Sequence, residues 1–366
     1  MNELVIDQLV PVLHRRDAVG EHTLKLRELL RDRGVNSEIY VEIDDPETSK
    51  ETLPLSFLPQ SLDIDLVVYQ MSTGSKISAL LQERDDNLVV NYHNVTPAEY
   101  FAPWDNALAL HQVIARHECG LLSSRASLAV AVSEFNRVEL EELGYERTVV
   151  IPPSSAVGRS ASADQSARLT RRYPGGDLKA TRWLSVGRLA PNKAIEDTMT
   201  ALLAFRIRHD PDATLTVIGK PAVASYTRAL KEYSVTLGLS DAVSFEGSVS
   251  ASKLDEAYRL SEVFVSTSEH EGFCLPLVEA MANDLPIVGC KNAAIPEVLG
   301  DAGTLVDGND PVVIADAVAR ILRDDALWRR HVDAGEKRLA DLDLESAGAR
   351  LVDLLIQTAQ VERARH

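Results

Sequence analysis

The chain has 366 residues, enough for two ordinary domains rather than one. Hydrophobic residues make up 45% and charged residues 25%, the balance of a globular chain in water rather than a disordered or bilayer-embedded one. A formal net charge of −17, with no Lys/Arg-rich run to offset it, argues against a nucleic-acid backbone as partner.

The first residues, Met1-Asn-Glu-Leu-Val-Ile-Asp7, lack the basic start and apolar core of a signal peptide. Leu4 to Pro11 reads as a first strand, residues 11–21 as a loop, and Glu21 to Arg33 as an amphipathic helix closed by Gly34. Ser37 to Ile43 and Asp65 to Gln70 read as strands, with a polar, Pro-containing stretch between them. A helix over 75–83 leads into the strand Asn87 to His93, which places His93 at a C-terminal strand end. Asn106 to Ser123 reads as a long helix, and its His117-Glu118 pair lacks the second histidine of a zinc-protease motif. The strand Leu128 to Ser133, a helix Glu134 to Leu143 capped by Ser133, and Thr148 to Pro153 complete a first α/β unit over 1–153. Asp63-Ile-Asp65 has the Asp-x-Asp form of a metal motif, yet it marks a strand entry with no second ligand group around it.

Residues 154–180 are rich in Ser, Ala, Arg and Gly without apolar period, the composition of a linker. The α/β pattern restarts at Thr181 and defines a second unit over 181–344. Strands are expected at 183–187, 214–219, 243–247, 262–266, 285–290 and 304–306, with helices at 195–208, 222–237 and 251–260. From Pro311 onward the chain reads as mostly helical. Strict β/α alternation in both halves predicts two parallel sheets, an α/β fold with two Rossmann-like domains. Cys119, Cys274 and Cys290 are few, odd in number and not in metal spacing, as expected in a reducing cytoplasm. No apolar stretch approaches the roughly 20 residues that span a bilayer, so the expected location is cytoplasmic, leaving room for peripheral contact with the inner membrane face.

One stretch concentrates the chemistry. Between the strands ending at Ser266 and beginning at Leu285, a helix is expected from Pro276, because proline suits the first helical position. The loop 269–275 then ends on a helix N-terminus at the carboxyl edge of a parallel sheet, where open α/β sheets bind ligands. Backbone N–H groups from Phe273 to Leu277 suit a phosphate there. Glu271 and Glu279 frame that helix start, and carboxylates beside an anion site make sense if they accept from vicinal hydroxyls. Arg188 and Lys193 follow the strand 183–187 and are charge-assisted donors fit for phosphate. The plainer alternative is that Glu279 only complements the helix dipole and the others are solvated loop residues.

Glu271-Gly-Phe-Cys-Leu-Pro-Leu-Val-Glu279-Ala-Met-Ala282 and Val186-Gly-Arg-Leu-Ala-Pro-Asn-Lys193 resemble the donor-site signature of the retaining GT-B glycosyltransferases of glycosyltransferase family 4. The similarity is dense over about 181–307 and weaker from the N-terminus to 153. The resemblance implies a GT-B fold, two Rossmann-like domains with parallel sheets facing across a cleft, and a last helix, 345–366, crossing back onto the N-terminal, acceptor-side domain. It implies transfer of a sugar from a UDP- or GDP-sugar to a hydroxyl of a sugar or lipid-linked glycan, with retention, as in polysaccharide biosynthesis. No cofactor or metal is implied.

By position, Glu271 would hold sugar hydroxyls, while Phe273, Cys274 and Leu275 would present amides to sugar and phosphate. Glu279 would bind the ribose diol, and Arg188 and Lys193 the diphosphate. His93, in His93-Asn-Val-Thr-Pro97, would contact the sugar's primary hydroxyl, and Gly20 would approach the diphosphate. Cys274, Ala194 and Asp284 depart from the pattern, standing where glycine is frequent. A sugar-nucleotide epimerase or phosphorylase on the same fold, or a catalytically silent nucleotide-sugar-binding subunit, are the rival readings.

Overall fold

Short apolar runs alternating with amphipathic helices bury themselves most readily as parallel strands covered on both faces. The computed structural model, which describes residues 3–15, 17–154 and 178–364, has that arrangement twice. The expected linker, 154–180, lies mostly outside the described residues. One unit runs to Ala102, resumes from Asn106 to Ser154 and includes the chain from Asp343 onward; the other comprises Pro103–Asp105 and Leu178 to Leu342.

The first unit holds β1 (Ile6–Val12), β2 (Ile39–Ile43), β3 (Leu53–Pro54), β4 (Leu66–Met71), β5 (Leu88–Tyr92), β6 (Ala126–Ala131) and β7 (Thr148–Val150). Their order is β3-β2-β1-β4-β5-β6-β7, and every pair is parallel. Alternation along the strands feeds two cores. Leu66, Val68, Val89 and Val130 pack with Leu26 and Leu30 of the helix Ala18–Asp32 and with Leu351, Val352 and Leu355 of the C-terminal helix Leu344–Arg363. Val67, Tyr69, Val90 and Ala129 pack on the opposite face with Ile77, Leu81, Cys119 and Leu140. Gly348 lets the C-terminal helix lie close: a Cβ there would meet Leu29 Cδ1 at 2.7 Å. Asp65 is structural, accepting from the Val5 N–H at 2.9 Å at the sheet entry, as its position before a strand suggests.

The second unit holds β8 (Arg182–Val186), β9 (Thr214–Ile218), β10 (Val243–Phe245), β11 (Val263–Ser266), β12 (Ile287–Cys290) and β13 (Thr304–Val306). Their order is β10-β9-β8-β11-β12-β13, again all parallel. In each sheet the strand order reverses direction once, between β1 and β4 and between β8 and β11. The loops that leave the carboxyl ends of those strands diverge there, which opens the crevice where doubly wound sheets take ligands.

Two local expectations change. The first helix begins at Ala18 rather than Glu21, because Asp17 caps it by accepting from the Gly20 N–H at 2.7 Å. The role expected for Gly20 toward a diphosphate changes with it. The Gly20 N–H is already bonded, and a Cβ on Gly20 would lie 1.8 Å from the His14 carbonyl oxygen. Gly20 is therefore a packing glycine that lets the β1–helix connection fold onto itself. Helix propensity alone would make Gly20→Ala stabilising by about 1 kcal/mol. The collision predicts the opposite sign, a loss of about 1–3 kcal/mol in urea denaturation.

Candidate functional site

The switch point of the second sheet gathers most of the residues singled out by the sequence. β8 leads into Gly187, Arg188 and a short turn, Pro191–Lys193, before the helix Ile195–Arg208. β11 leads into 267–274 and then the helix Leu275–Ala282. Because β8 and β11 are neighbours, pairing Val263 with Trp183, the two loops meet. Lys193 Nζ bonds to Glu271 Oε1 there, with the two side chains 14% and 10% exposed. A pair so shielded from water is held by mutual charge, since either partner alone would face a large desolvation penalty.

Both loops are fastened by amide and hydroxyl groups. Asn192 Nδ2 donates to the His270 carbonyl at 2.8 Å, and the Glu269 N–H returns a bond to the Asn192 carbonyl at 2.8 Å. Thr267 Oγ1 lies 2.6 Å from Thr198 Oγ1 and donates to the Ala194 carbonyl at 2.8 Å. Asn309 Nδ2 reaches the Thr267 carbonyl at 3.2 Å. The loop carrying Glu271 is thus tied to the loop carrying Lys193 on its backbone as well as through the charges.

The helix Leu275–Ala282 starts one residue before the expected Pro276, with Cys274 as its N-cap. Cys274 has φ 71° and ψ 63°, left-handed for a residue with a side chain, and Ala194 (φ 45°) and Asp284 (φ 51°) share that region. All three positions at which the resemblance places glycine therefore have the backbone that favours glycine. The N–H groups of Phe273, Cys274 and Leu275 donate to nothing among the described residues, and no side chain caps this helix. They form a donor set at the positive end of a helix dipole. Burial, and next the Glu271 charge, push the Cys274 thiol well above its ordinary pKa, so it is a buried thiol rather than a thiolate nucleophile.

One turn into the helix, Glu279 Oε2 accepts from Tyr258 Oη at 2.6 Å. Tyr258 is buried on the helix Ala251–Leu260, and burial, then the Glu279 charge, hold its phenol far from ionisation. It is a fixed donor that aims the carboxylate. Neither Tyr258 nor the clamp made by Asn192 and Thr267 has a local signal in the sequence, because the bonded partners lie far apart along the chain. Arg188 is exposed and its guanidinium makes no ion pair among the described residues.

In the first unit His93 follows β5, and Asn94 (φ 77°) turns the chain immediately after it. His93 Nε2 lies 2.6 Å from Gln70 Oε1, and its ring meets that of His22 edge-on at 5.1 Å. Burial holds both imidazoles neutral: His22 is pushed down to about 4, and His93 well below its ordinary value by burial and by His22. Among the described residues no group of three or more His, Cys, Asp or Glu is disposed to hold a metal ion, and no helix is long and apolar enough to cross a membrane.

The Lys193–Glu271 pair has a measurable signature. Lys193→Met and Glu271→Gln are each expected to lower stability in urea denaturation, the lysine change by about 3 kcal/mol because it leaves a buried carboxylate unpaired. The double variant should lose less than the sum, with a coupling of about 0.5–3 kcal/mol. Strict additivity would mean the two charges do not act as a pair.

Residues 171–338 match the family model described as Glycosyl transferases group 1. A D-inositol 3-phosphate glycosyltransferase of Corynebacterium efficiens is 31% identical over 183 residues, 49% of this chain and 43% of that protein. A GDP-mannose-dependent alpha-(1-6)-phosphatidylinositol monomannoside mannosyltransferase of Mycolicibacterium smegmatis is 29% identical over 225 residues, 58% of this chain and 57% of that protein. In these comparisons the chain spans about half the length of the curated relatives it matches. Among solved structures, the sucrose-phosphate synthase of Thermosynechococcus elongatus superposes with a TM-score of 0.74 at 20% identity, covering 97% of this chain and 99% of that one. That likeness extends over both units and concerns the fold. Residues 171–338 are thus similar to the glycosyl transferases group 1 family, and the chain that carries them has the GT-B fold of two Rossmann-like units.

Proposed function

We propose that this chain is a retaining glycosyltransferase of family 4 that moves a sugar from a nucleoside diphosphate sugar, UDP- or GDP-linked, to a hydroxyl of a sugar or lipid-linked glycan. The observation that carries the reading is the switch-point arrangement of the second unit: two cations, two carboxylates and three N–H groups unbonded among the described residues, on two adjoining loops and the helix that follows the second. A nucleoside diphosphate sugar presents a ribose diol, a diphosphate and a hydroxyl-rich ring in that order, and these groups answer each in kind. Glu279, aimed by Tyr258, accepts from the diol. Arg188, Lys193 and the amides of Phe273 to Leu275 receive the diphosphate. Glu271 accepts from hydroxyls of the transferred sugar, and His93 contacts the same sugar.

Transfer leaves a nucleoside diphosphate carrying the charge that the sugar–phosphate bond releases. Preorganised donors aimed at developing charge are commonly the largest single catalytic contribution. Lys193, paired with Glu271 before the donor arrives, exchanges that partner for phosphate, which frees the carboxylate for the sugar. With cations and a helix start meeting the leaving group, the reading assigns no role to a divalent metal. Retention follows from departure and attack on one face, with no carboxylate assigned as nucleophile.

The test is a panel of UDP-, GDP- and ADP-sugars scored for hydrolysis and for transfer to simple glycosides and polyol phosphates. Turnover is expected with one nucleotide class, with an α-anomeric product from an α-linked donor, and at equal rates in excess chelator and in added magnesium. Inversion, or loss in chelator restored by magnesium, would contradict the mechanism; binding without turnover across the panel would favour a silent subunit. Glu279→Gln should weaken the matching nucleoside diphosphate roughly 10- to 100-fold by calorimetry, the loss of a charged hydrogen bond.

A further inference from the structure

The first unit buries a run of amides beneath His93 that the transfer reading does not use. Gln8 on β1, Gln70 on β4 and Asn91 on β5 are all buried, in strands made mostly of apolar residues. Gln70 and Asn91 stand directly opposite each other in the parallel register. Gln8 Nε2 lies 3.2 Å from the Thr23 carbonyl, Gln70 Nε2 lies 2.8 Å from Gln8 Oε1, and Asn91 Nδ2 lies 2.9 Å from Gln70 Oε1. Asn91 Nδ2 also lies 3.0 Å from His22 Nε2.

A backbone carbonyl can only accept, and that fact sets the direction of the whole chain. The Thr23 carbonyl requires the NH₂ end of Gln8 to face it, so Gln8 presents its oxygen to Gln70. Gln70 must then offer its own NH₂ to Gln8 and turn its oxygen toward Asn91 and His93. With an acceptor 2.6 Å from His93 Nε2, that nitrogen must carry the ring's proton. His93 Nδ1, which bonds to nothing among the described residues, keeps the lone pair.

We propose that Gln70 is a positioning residue, oriented by the Thr23–Gln8 relay, that fixes His93 as the Nε2–H tautomer so that Nδ1 accepts a hydrogen bond from a hydroxyl of the transferred sugar. The relay rests on geometry alone; the identity of its ligand rests on the glycosyl-transfer reading. A histidine held this way takes a hydroxyl donor and has no proton to offer a carboxylate or phosphate from Nδ1. The burial that keeps both His22 and His93 neutral acts in the same direction.

The test is long-range proton–nitrogen NMR on the full chain labelled at histidine nitrogen and free of ligand, with the His93 signals identified through His93→Asn. Wild type is expected to show a pyrrole-type Nε2 and a pyridine-type Nδ1. Gln70→Glu keeps an oxygen at the same place and should keep Nε2 protonated. Gln70→Met should let the two nitrogen signals move toward each other as both tautomers populate. Should that variant not fold, Gln8→Met/Gln70→Met replaces two mutually bonded amides by apolar chains of similar length, a change that is often nearly neutral for stability. A protonated Nδ1 in wild type, or an unchanged tautomer in a folded methionine variant, overturns the relay.

With the best donor of the panel, Gln70→Met should lose roughly tenfold in kcat/KM, mostly in kcat, with nucleoside diphosphate affinity unchanged. Unchanged kcat/KM in that variant overturns the positioning role. Absence of wild-type turnover across the whole panel refutes the transfer reading and the sugar assignment, while the ligand-free spectra still decide the relay.

Discussion

The second unit's site depends on one shielded pair of opposite charges. Lys193 and Glu271 come from different crossover loops, 78 residues apart, and meet because β8 and β11 are neighbours in the sheet. Neither charge could be buried alone. Together they allow a cation and a carboxylate to wait, nearly dry, beside a helix start where the Phe273, Cys274 and Leu275 N–H groups donate to nothing among the described residues. A diphosphate sugar carries both kinds of group that such a pair can serve, anionic oxygens and neutral hydroxyls. The pair holds the two loops together, and on the proposed reading the same two groups would meet the donor.

That pairing has a backbone cost, carried by residues with side chains where glycine would be less strained. Cys274 and Ala194 stand in the left-handed region at the starts of the two helices that flank the pair, each at a penalty of about 1–2 kcal/mol. Surrounding bonds hold them there. Thr267 Oγ1 grips the Ala194 carbonyl, and the Leu277 N–H grips the Cys274 carbonyl at 3.0 Å. The Cys274 side chain is buried at that helix start, with the Glu271 carboxylate beside it. Such local strain persists where the neighbourhood fixes a conformation that function requires.

Much of the architecture was legible because alternation and turn chemistry are local. The helices over 195–208 and 251–260 and the strand 304–306 fall where the sequence places them. The two-residue strand β3 was not legible, since a pair of residues has no period, and the first helix was missed by about a turn because Gly20 looked like a loop residue. At the site, Glu271, Glu279, Arg188 and Lys193 announced themselves by charge beside a strand–loop–helix pattern. Tyr258, Asn192 and Gln70 did not, because their roles come from partners distant in sequence. A trace existed for the amide relay: Gln8, Gln70 and Asn91 are amides within three mostly apolar strands, and buried amides need partners. Only the sheet order, which sets β1, β4 and β5 side by side, shows that they are partners of one another.

On the proposed reading, the crevice between the β8 and β11 loops takes the nucleoside diphosphate half of a donor. Hydrogen–deuterium exchange of the full chain, with and without UDP or GDP, tests it most directly. One of the two nucleotides should slow exchange at 187–194 and 269–279, where the unbonded amides and the Lys193–Glu271 loops lie. Exchange unchanged in both stretches with either nucleotide, or protection confined to other parts of the chain, would contradict the account.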